Sequence, residues 1–406
     1  MSLREINLHM KYFFHEVSHI LIVDDNPENL QILGNYLQKE GYDLEFALDG
    51  RSALDWIDRK DFDLIMLDIM MPGMDGFEVC TQLKGDLKNK EIPVIFLTAN
   101  VDTDSTIKAF DMGAADYVTK PFNQKEILAR VHTQIEIKKT RDEVSRYLRE
   151  VENKNILITS SIKYAKSIQT AVFKSSQNLS ESCSDQFTLA IPKDIVSGDF
   201  YWSAKIDGFC LTGVFDCTGH GVPGAFMSLL FVTFLNDIVK VGKVYEPHLI
   251  LNRLRERVID ALEQKGVIME MHDGMDAAMI SYDYKAKVIH FSGAFSKMYL
   301  IRNDQIMEFK GDRMPVSYYD IMKDFSSQEI QIYNDDIIYM FTDGYKDQFG
   351  GPKGKKFGQE NFKKLLIANH NKPMEIQKQL LYDSHLAWRN GKSDQLDDIT
   401  VVGFKY

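Results

Sequence analysis

Four short apolar segments between residues 20 and 120 each end in one or two polar side chains, and this pattern constrains the fold most strongly. The polar residues at these ends are Asp24 with Asp25, Asp68, Thr98 and Lys120. Strand and helix patterns alternate across the region, as in a parallel α/β fold. The carboxyl ends of parallel strands share one edge of a sheet, where ligands bind. Carboxylates, a hydroxyl and a lysine at one edge predict a site for a divalent cation and a phosphoryl group.

These residues resemble the signature of a response-regulator receiver domain, and the resemblance covers about residues 18–137. It implies a flavodoxin-like, doubly wound parallel α/β sheet in which Asp68 is the phosphoacceptor. The phosphoryl group would come from a sensor histidine kinase or a phosphotransfer protein. Asp24 and Asp25 would bind Mg²⁺ together with Asp68, and Asp25 would do so most directly. The alternative is a flavodoxin-like domain whose acidic residues only solvate the edge of the sheet.

Three further positions of this resemblance concern the response to phosphorylation. Thr98 and Lys120 would contact the phosphoryl oxygens, and Tyr117 would be the aromatic switch residue. Phosphorylation would bias the receiver between two packings, so that a local change of charge acts at a distance. Another interpretation makes the receiver a constitutive dimerisation unit, which the complete set of site residues argues against.

A second group of acidic residues lies at predicted strand ends in the C-terminal half. Its members are Asp199, Asp216, Asp343, Asp397 and Asp398. Hard oxygen ligands from separate strands suit Mg²⁺ or Mn²⁺, and two such ions could activate a water against a phosphate ester. The alternative is a set of helix caps and turn residues without a metal. Strands grouped around helices, without a regular βα rhythm, predict an α+β layered β-sandwich.

The motifs around these acids resemble the metal-dependent protein phosphatases of the 2C type, in their bacterial stage II sporulation protein E branch. They are SGDFYW, FDCTGHGVPGAFMS, DGMDAAMISYD, FSGAFSKMYLIR, FTDGYKDQFG and LDDITVV, in the family's order within residues 185–406. The resemblance implies a hydrolase that acts on phosphoserine or phosphothreonine of another protein, typically an anti-sigma-factor antagonist. The alternative is a non-catalytic partner-switching scaffold gated by the receiver, which the intact acidic set argues against.

The phosphatase resemblance also implies roles for individual residues. Two Mn²⁺ or Mg²⁺ ions would be bound by Asp199, Asp216, the backbone carbonyl of Cys217, Asp343 and Asp397, with Asp398 as the less favoured member of the last pair. The side chains of Asp199, Asp216, Asp343 and Asp397 would thereby be catalytic. His220 would lie beside this site, where it could assist protonation of the leaving group or have a structural role.

Residues 122–173 contain neither proline nor glycine, so the last receiver helix is predicted to continue far beyond its domain. Apolar residues recur in alternating steps of four and three, which predicts a coiled coil and a homodimer formed through this linker. The seam positions are Ile137, Arg141, Val144, Leu148, Val151, Asn155, Ile158, Ile162, Ala165, Gln169 and Val172. The alternative is an amphipathic helix packed on its own phosphatase domain, with residues 156–173 as the part that folds back.

The predicted domain order is an N-terminal extension (1–17), a receiver (18–137), a helical linker (138–175) and a phosphatase domain (180–406). Within the last domain, we expect a strand over residues 187–202 and a helix over residues 224–240. We predict a two-component response regulator in which phosphorylation of Asp68 controls the phosphatase. The linker would act by moving that helix or the loop at residues 217–224.

Charge and composition exclude some functions. The net charge of −11 argues against nucleic-acid binding, which usually needs a basic surface. The four cysteines, Cys80, Cys183, Cys210 and Cys217, show no metal or disulfide spacing and suit a reducing compartment. The most apolar stretch, at residues 225–235, is shorter than a bilayer span, and the first residues lack the apolar core of a signal peptide. A cytoplasmic protein that does not bind membranes is therefore predicted.

Overall fold

The computed structural model describes residues 17–99, 103–174, 185–264, 273–391 and 393–406, except for the side chains of residues 103–106. Cys183 and the predicted N-terminal extension up to residue 16 lie outside the described residues. The chain divides into two compact units, one ending at Lys154 and the other beginning at Asn155.

The first unit is built on a parallel sheet of five strands in the order β2-β1-β3-β4-β5. Its strands are β1 (His19–Val23), β2 (Asp43–Ala47), β3 (Leu64–Asp68), β4 (Val94–Thr98) and β5 (Asp116–Thr119). Its helices are α1 (Pro27–Gln38), α2 (Gly50–Arg59), α3 (Gly76–Gly85), α4 (Thr103–Asp111) and the first part of α5 (Gln124–Lys174). Buried apolar residues line both faces of the sheet, so the predicted doubly wound fold is confirmed.

The turn after β3 is held close to the end of that strand. A reciprocal capping box between Asp75 and Glu78 begins α3. Gly76 is required at the first position of this helix, because a Cβ there would come within 2.3 Å of the Asp68 carbonyl oxygen. The backbone of α3 is thereby packed directly against the residue predicted to accept the phosphoryl group.

Helix α5 has 51 residues, and its two ends pack in different cores. At the C-terminal end, Gln169 is buried, while Val172 and Phe173 pack against the core of the second unit. The alternative to the predicted coiled coil, in which residues 156–173 pack on the phosphatase domain, therefore holds at the end of that segment. Between the two ends, four apolar seam residues are 50–65% exposed, namely Val144, Leu148, Val151 and Ile158.

The second unit contains two antiparallel sheets of five strands, in the orders β13-β10-β9-β8-β7 and β12-β11-β14-β17-β6. The strands are β6 (Asp185–Ile191), β7 (Phe200–Ile206), β8 (Phe209–Cys217), β9 (Met275–Asp283), β10 (Val288–Ala294), β11 (Lys297–Arg302), β12 (Gln305–Lys310), β13 (Gln328–Gln331), β14 (Ile337–Phe341) and β17 (Ile399–Lys405). A small hairpin comprises β15 (Phe349–Gly350) and β16 (Lys355–Lys356). The helices are α6 (Gly221–Asn236), α7 (Pro247–Ala261), α8 (Gly344–Asp347), α9 (Gln359–Asn369) and α10 (Met374–Arg389).

Apolar side chains pack this unit in four layers. Residues such as Ile280 and Met340 fill the space between the two sheets. Helices α6 and α7 cover the outer face of the first sheet. Helices α9 and α10 cover the outer face of the second sheet. The predicted α+β layered sandwich is confirmed.

One predicted strand in this unit is wrong. The stretch at residues 187–202 forms two strands, β6 and β7, which belong to different sheets. The chain leaves the first strand near Pro192, which cannot donate to a ladder. A Cβ on Gly198 would come within 2.6 Å of the Gly219 carbonyl oxygen, so this loop passes close to the backbone that follows β8. The loop carries Asp199 to the end of the sandwich.

The predicted helix at residues 224–240 is longer than expected. It begins at Gly221 and continues through a π-helical turn, Asp237–Val241. By length and composition alone, the stretch Gly221–Val241 could cross a membrane, so the prediction that it is too short is wrong. The core helix of a soluble protein meets the same criterion, and here Phe231, Leu235 and Val239 are fully buried in a core. This feature is therefore weak evidence for a membrane span.

A buried histidine in α10 predicts a pH-dependent stability. His385 is 1% exposed, and burial, followed by the charge of Arg389, lowers its pKa from 6.5 to about 4. The histidine therefore binds a proton more readily in the unfolded chain than in the folded one. Its contribution to the free energy of unfolding is complete above about pH 6.5 and is lost as the pH falls towards 4. Between pH 7.5 and pH 5 we expect a loss of about 2 kcal/mol.

Guanidinium denaturation of the full chain at both pH values measures this loss. The His385→Phe variant keeps an aromatic ring beside Tyr345, which packs 5.8 Å from the histidine ring, but it cannot titrate. Its stability should fall by about 2 kcal/mol less than that of the parent over the same interval. Equal losses in both proteins would contradict the prediction.

Candidate active sites

The first candidate site lies at the carboxyl edge of the parallel sheet. Asp24, Asp25 and Asp68 each offer a ligand atom, and these atoms lie within 4.8 Å of one another. Asp24 and Asp68 are buried, whereas Asp25 is exposed. Lys120 Nζ lies 2.7 Å from Asp68 and 2.8 Å from Asp24, so one ammonium group bridges the two buried carboxylates. This arrangement brings together four of the residues that the sequence predicts.

Burial and charge act in opposite directions at Asp68. Burial raises the pKa of this carboxyl, the hydrogen bond from Lys120 lowers it, and the charge of Asp24 raises it, with a net increase. For Lys120, burial alone would lower the pKa, but the hydrogen bonds to Asp24 and Asp68 outweigh burial and raise it. The lysine therefore stays charged. The surrounding carboxylates carry more negative charge than the single ammonium group of Lys120 neutralises, and this excess favours binding of an added cation.

The two predicted switch positions lie on the neighbouring strands. Thr98 is buried at the end of β4, and its carbonyl accepts a hydrogen bond from the Lys120 amide at 2.8 Å. Tyr117 is half-buried in β5, with the ring of Phe110 at 6.1 Å and the guanidinium of Arg130 at 5.6 Å. A residue that the sequence did not indicate also holds Asp24 in place. The side-chain amide of Asn29 donates to both carboxylate oxygens of Asp24, at 3.0 and 3.1 Å.

The second candidate site lies at one end of the β-sandwich. Two adjoining cavities of about 120 and 300 Å³ share Asp216, Asp276 and Asp343 in their walls. Asp216 on β8 and Asp276 on β9 face each other directly across the sheet. Like charges in this position destabilise a sheet unless a cation lies between them. Within the described residues, neither Asp216 nor Asp276 forms an ion pair with a lysine or arginine, and Lys346 approaches only Asp343, at 4.0 Å. Such oxygen donors fit a hard divalent ion.

Asp276 belongs to the same cluster but was missed from the sequence. Burial, followed by the charge of Asp343, raises its pKa to about 7. Burial also raises the pKa of Asp216 well above its usual range, and Asp343 is the next cause. The motif DGMDAAMISYD contains Asp276, the second residue of β9, and its place in the site follows from its pairing with Asp216.

The paired acids Asp397 and Asp398 occupy different environments. Asp398 is buried, and its two oxygens accept hydrogen bonds from the amides of Lys193 and Gly198, each at 2.7 Å. Asp397 is half-buried and lines the larger cavity beside Asp216. Asp398 therefore holds the loop before β7, and Asp397 offers its carboxylate to the cavity.

Asp199 is held by a hydroxyl from the opposite sheet. The Thr342 hydroxyl donates to Asp199 Oδ2 at 2.5 Å, and the Thr342 amide donates to the Thr400 carbonyl at 2.9 Å. Asp199 is 5% exposed. Burial, followed by the charge of Asp216, raises the pKa of Asp199 well above its usual range. Thr342 precedes Asp343 and was also missed, because a threonine at a strand end gives no signal by itself.

Two further predicted residues lie next to the acids. The Cys217 thiol is buried, and burial raises its pKa well above its ordinary value, which argues against a nucleophilic thiolate. His220 lines the larger cavity and contacts two neighbours. Its Nδ1 lies 2.8 Å from Asp194 Oδ2, and its Nε2 lies 2.9 Å from Lys193 Nζ.

Two family models match separate parts of the chain. The response regulator receiver domain matches residues 20–132, and stage II sporulation protein E matches residues 207–406. The chain thus joins a receiver domain to a phosphatase domain of the stage II sporulation protein E family. This phosphatase domain makes it a serine/threonine protein phosphatase, which is a hydrolase. Phosphatases of the 2C type depend on metal ions, and receiver domains bind Mg²⁺.

Solved structures are similar to each half. The SiaA-PP2C domain of Pseudomonas aeruginosa is 29% identical, with a TM-score of 0.57, over 62% of this chain and 98% of that chain. The signal receiver domain of a signal transduction histidine kinase from Syntrophus aciditrophicus is 34% identical, with a TM-score of 0.28, over 30% of this chain and 91% of that chain. The first similarity supports the phosphatase assignment in both sequence and fold.

Proposed function

We propose that this chain is a two-component response regulator in which phosphorylation of Asp68 controls metal-dependent dephosphorylation of another protein. A sensor histidine kinase or a phosphotransfer protein would supply the phosphoryl group. The substrate would carry phosphoserine or phosphothreonine, and the resemblance of the phosphatase domain suggests an anti-sigma-factor antagonist. We expect this chain to act in the cytoplasm.

In the receiver, Asp24, Asp25 and Asp68 would hold one Mg²⁺, which fits their oxygen atoms within 4.8 Å. The ion would neutralise charge on the incoming phosphoryl group. Asp68 would attack the phosphorus, and Lys120 would bind a phosphoryl oxygen from its position 2.7 Å from Asp68. Thr98 would contact another oxygen, and Tyr117 would respond to that contact.

In the phosphatase domain, two Mn²⁺ or Mg²⁺ ions would be held by the acidic side chains and one carbonyl at the end of the sandwich. The ligands would be Asp216, the carbonyl of Cys217, Asp343 and Asp397, which line the two cavities, and Asp199, which Thr342 holds nearby. Bound ions would supply an activated water for attack on the phosphate ester. Thr342 would orient Asp199, and Asp398 would hold the loop before β7. His220 at the cavity wall would deliver a proton to the departing oxygen.

The observation that carries the proposed control is the contact between α5 and the loop before β7. Gln169 Nε2 donates to the Ser197 carbonyl at 2.6 Å and to the Ser228 hydroxyl at 3.0 Å. The Ser197 amide donates back to Gln169 Oε1 at 3.3 Å. Phe173 stacks on Phe200 at 5.7 Å. The helix that begins in the receiver thus contacts residues on both sides of Asp199, and a shift of this helix would move a metal ligand.

The exposed seam of α5 supports a homodimer. Its apolar positions between residues 144 and 158 are each at least half exposed and belong to neither the receiver core nor the phosphatase core among the described residues. Arg141, one turn earlier, is occupied by an ion pair with Glu91 at 2.8 Å. A heptad seam of this kind is covered when two copies form a coiled coil. Joining two copies would also let the receivers act on the helices together.

The test is turnover of para-nitrophenyl phosphate by the purified full chain with Mn²⁺, with and without acetyl phosphate as a phosphodonor. We expect turnover to require the metal and to change when the donor is added. The Asp68→Asn variant should keep turnover but lose the response to the donor. The same response in that variant would overturn control through Asp68, and absence of turnover with any metal would overturn the enzyme itself.

A further inference from the structure

A strained aromatic residue lies at the edge of the phosphatase site. Phe295 has a φ of 51°, in the left-handed region, and it is the only aromatic residue with such a backbone among the described residues. Bulky side chains are unfavourable there, whereas glycine and asparagine are tolerated. A residue stays in this conformation only when its surroundings hold it, and such strain is concentrated at functional sites.

Backbone contacts hold this turn in place. The Phe295 amide donates to the Asp312 carbonyl at 2.8 Å, and the Asp312 amide donates to the Gly293 carbonyl at 2.8 Å. The Gly311 amide donates to the Ser296 carbonyl at 2.9 Å. A Cβ on Gly311 would come within 2.5 Å of the Gly293 carbonyl carbon, so the two segments could not approach as closely with larger residues. The backbone that carries Phe295 is therefore held in place before any ligand binds.

The ring of Phe295 joins the metal site to an exposed aromatic surface. Phe295 lines the smaller cavity together with Asp216, Asp276 and Asp343. Its edge contacts the ring of Tyr319, with centroids 6.0 Å apart and planes at 86°. The two residues remain 44% and 38% exposed, and we call this pair the aromatic ledge. Exposed aromatic surface beside an active site is typical of a binding surface.

Two lysines in the wall of the smaller cavity already have acidic partners. Lys297 forms an ion pair with Glu308 at 3.1 Å, and Lys346 lies 4.0 Å from Asp343. The two exposed rings themselves offer an apolar surface to a ligand. A phosphorylated residue at the acids would bring the adjacent residues of its chain to the wall of the same cavity.

We propose that the aromatic ledge docks an apolar side chain next to the phosphoserine or phosphothreonine of the protein substrate. This inference rests on the proposed dephosphorylation, and it adds a preference for the sequence around the phosphorylated residue. One apolar side chain in an apolar site changes kcat/KM by about tenfold or more.

The test compares two phosphoserine peptides that differ only in having leucine or serine on both sides of the phosphoserine. With Mn²⁺ and the full chain, kcat/KM should be about tenfold higher for the leucine peptide. Phe295→Asn removes the ring and suits the left-handed backbone, so this preference should fall close to one. Tyr333→Ala is the matched control, because Tyr333 is an exposed aromatic at the opposite end of β14, and it should leave the preference unchanged.

Two results would overturn the inference. One is an absence of preference in the parent chain. The other is an equal decrease for both peptides and para-nitrophenyl phosphate in Phe295→Asn, which would mean that the ring only shapes the metal site. If the parent chain does not hydrolyse para-nitrophenyl phosphate, the proposed function fails, which is a different outcome from failure of this inference. Fluorescence anisotropy would then measure the affinities of the chain for the two peptides, and these affinities would test the inference. Equal affinities would overturn it.

Discussion

Replacement of Asp216 by asparagine is expected to lower Mn²⁺-dependent hydrolysis of para-nitrophenyl phosphate by at least about 100-fold. Asp216 lines both cavities of the phosphatase site and is proposed as a ligand of the metal pair. An asparagine has nearly the same shape, but it carries no charge to hold a divalent cation. The steady-state rate, measured over a range of Mn²⁺ concentrations, tests this expectation.

The matched control for Asp216→Asn is Asp283→Asn. Asp283 lies in the same sheet at the opposite end of β9, where its carboxylate accepts hydrogen bonds from the Lys285 and Ala286 amides. This control should leave turnover unchanged. A rate for Asp216→Asn within tenfold of the parent at saturating Mn²⁺ would contradict the assignment of Asp216 as a ligand.

The Asp216→Asn substitution should also make the protein more stable when no metal is bound. Asp216 faces Asp276 across the sheet, and removing one of two opposed carboxylates relieves their repulsion. In the presence of a chelator we expect the unfolding midpoint of Asp216→Asn to rise by about 2–4 °C. A gain in stability together with a loss of turnover would identify Asp216 as a functional acid. Loss of an acid that supports the fold would instead lower both the stability and the turnover.

The receiver site could be predicted from the sequence because its geometry follows from a local rule. In a parallel sheet every strand ends at the same edge, so Asp68 and Thr98 at successive strand ends must be neighbours. The phosphatase acids follow no such rule, because antiparallel strands enter and leave the site in alternation. Asp276 lies near the start of β9 and Asp216 near the end of β8, yet the two residues are cross-strand partners.

The roles of Asp397 and Asp398 could not be separated by sequence position. Adjacent acids before one strand look alike, and only the amides of Lys193 and Gly198, contributed by a distant loop, distinguish them. The seam of α5 presents a similar ambiguity. The same period serves a coiled coil and a helix packed on its own domain, and the structure buries Gln169 but exposes Leu148.

Replacement of Gln169 by leucine is expected to lower kcat for para-nitrophenyl phosphate by about tenfold or more and to abolish the response to acetyl phosphate. Leucine fills a similar volume but leaves the Ser197 amide without its partner, and it breaks the bridge from α5 to the loop that carries Asp199. An unpaired buried amide costs about 1–3 kcal/mol, which the loop can avoid only by moving. Turnover with and without the phosphodonor measures both effects.

Gln377→Leu provides the control that separates a loss of coupling from a loss of stability. Gln377 is also a buried glutamine, 3% exposed, and its amide donates to the His370 and Lys372 carbonyls at 2.9 and 2.8 Å. It lies on α10, behind the other sheet, and contacts no residue of the metal site among its hydrogen-bond partners. Both variants should unfold at lower temperature, but only Gln169→Leu should lose turnover and the donor response below its midpoint. Equal turnover in the two variants would mean that α5 supports the fold without controlling the loop, and control would then have to reach Asp199 by another route.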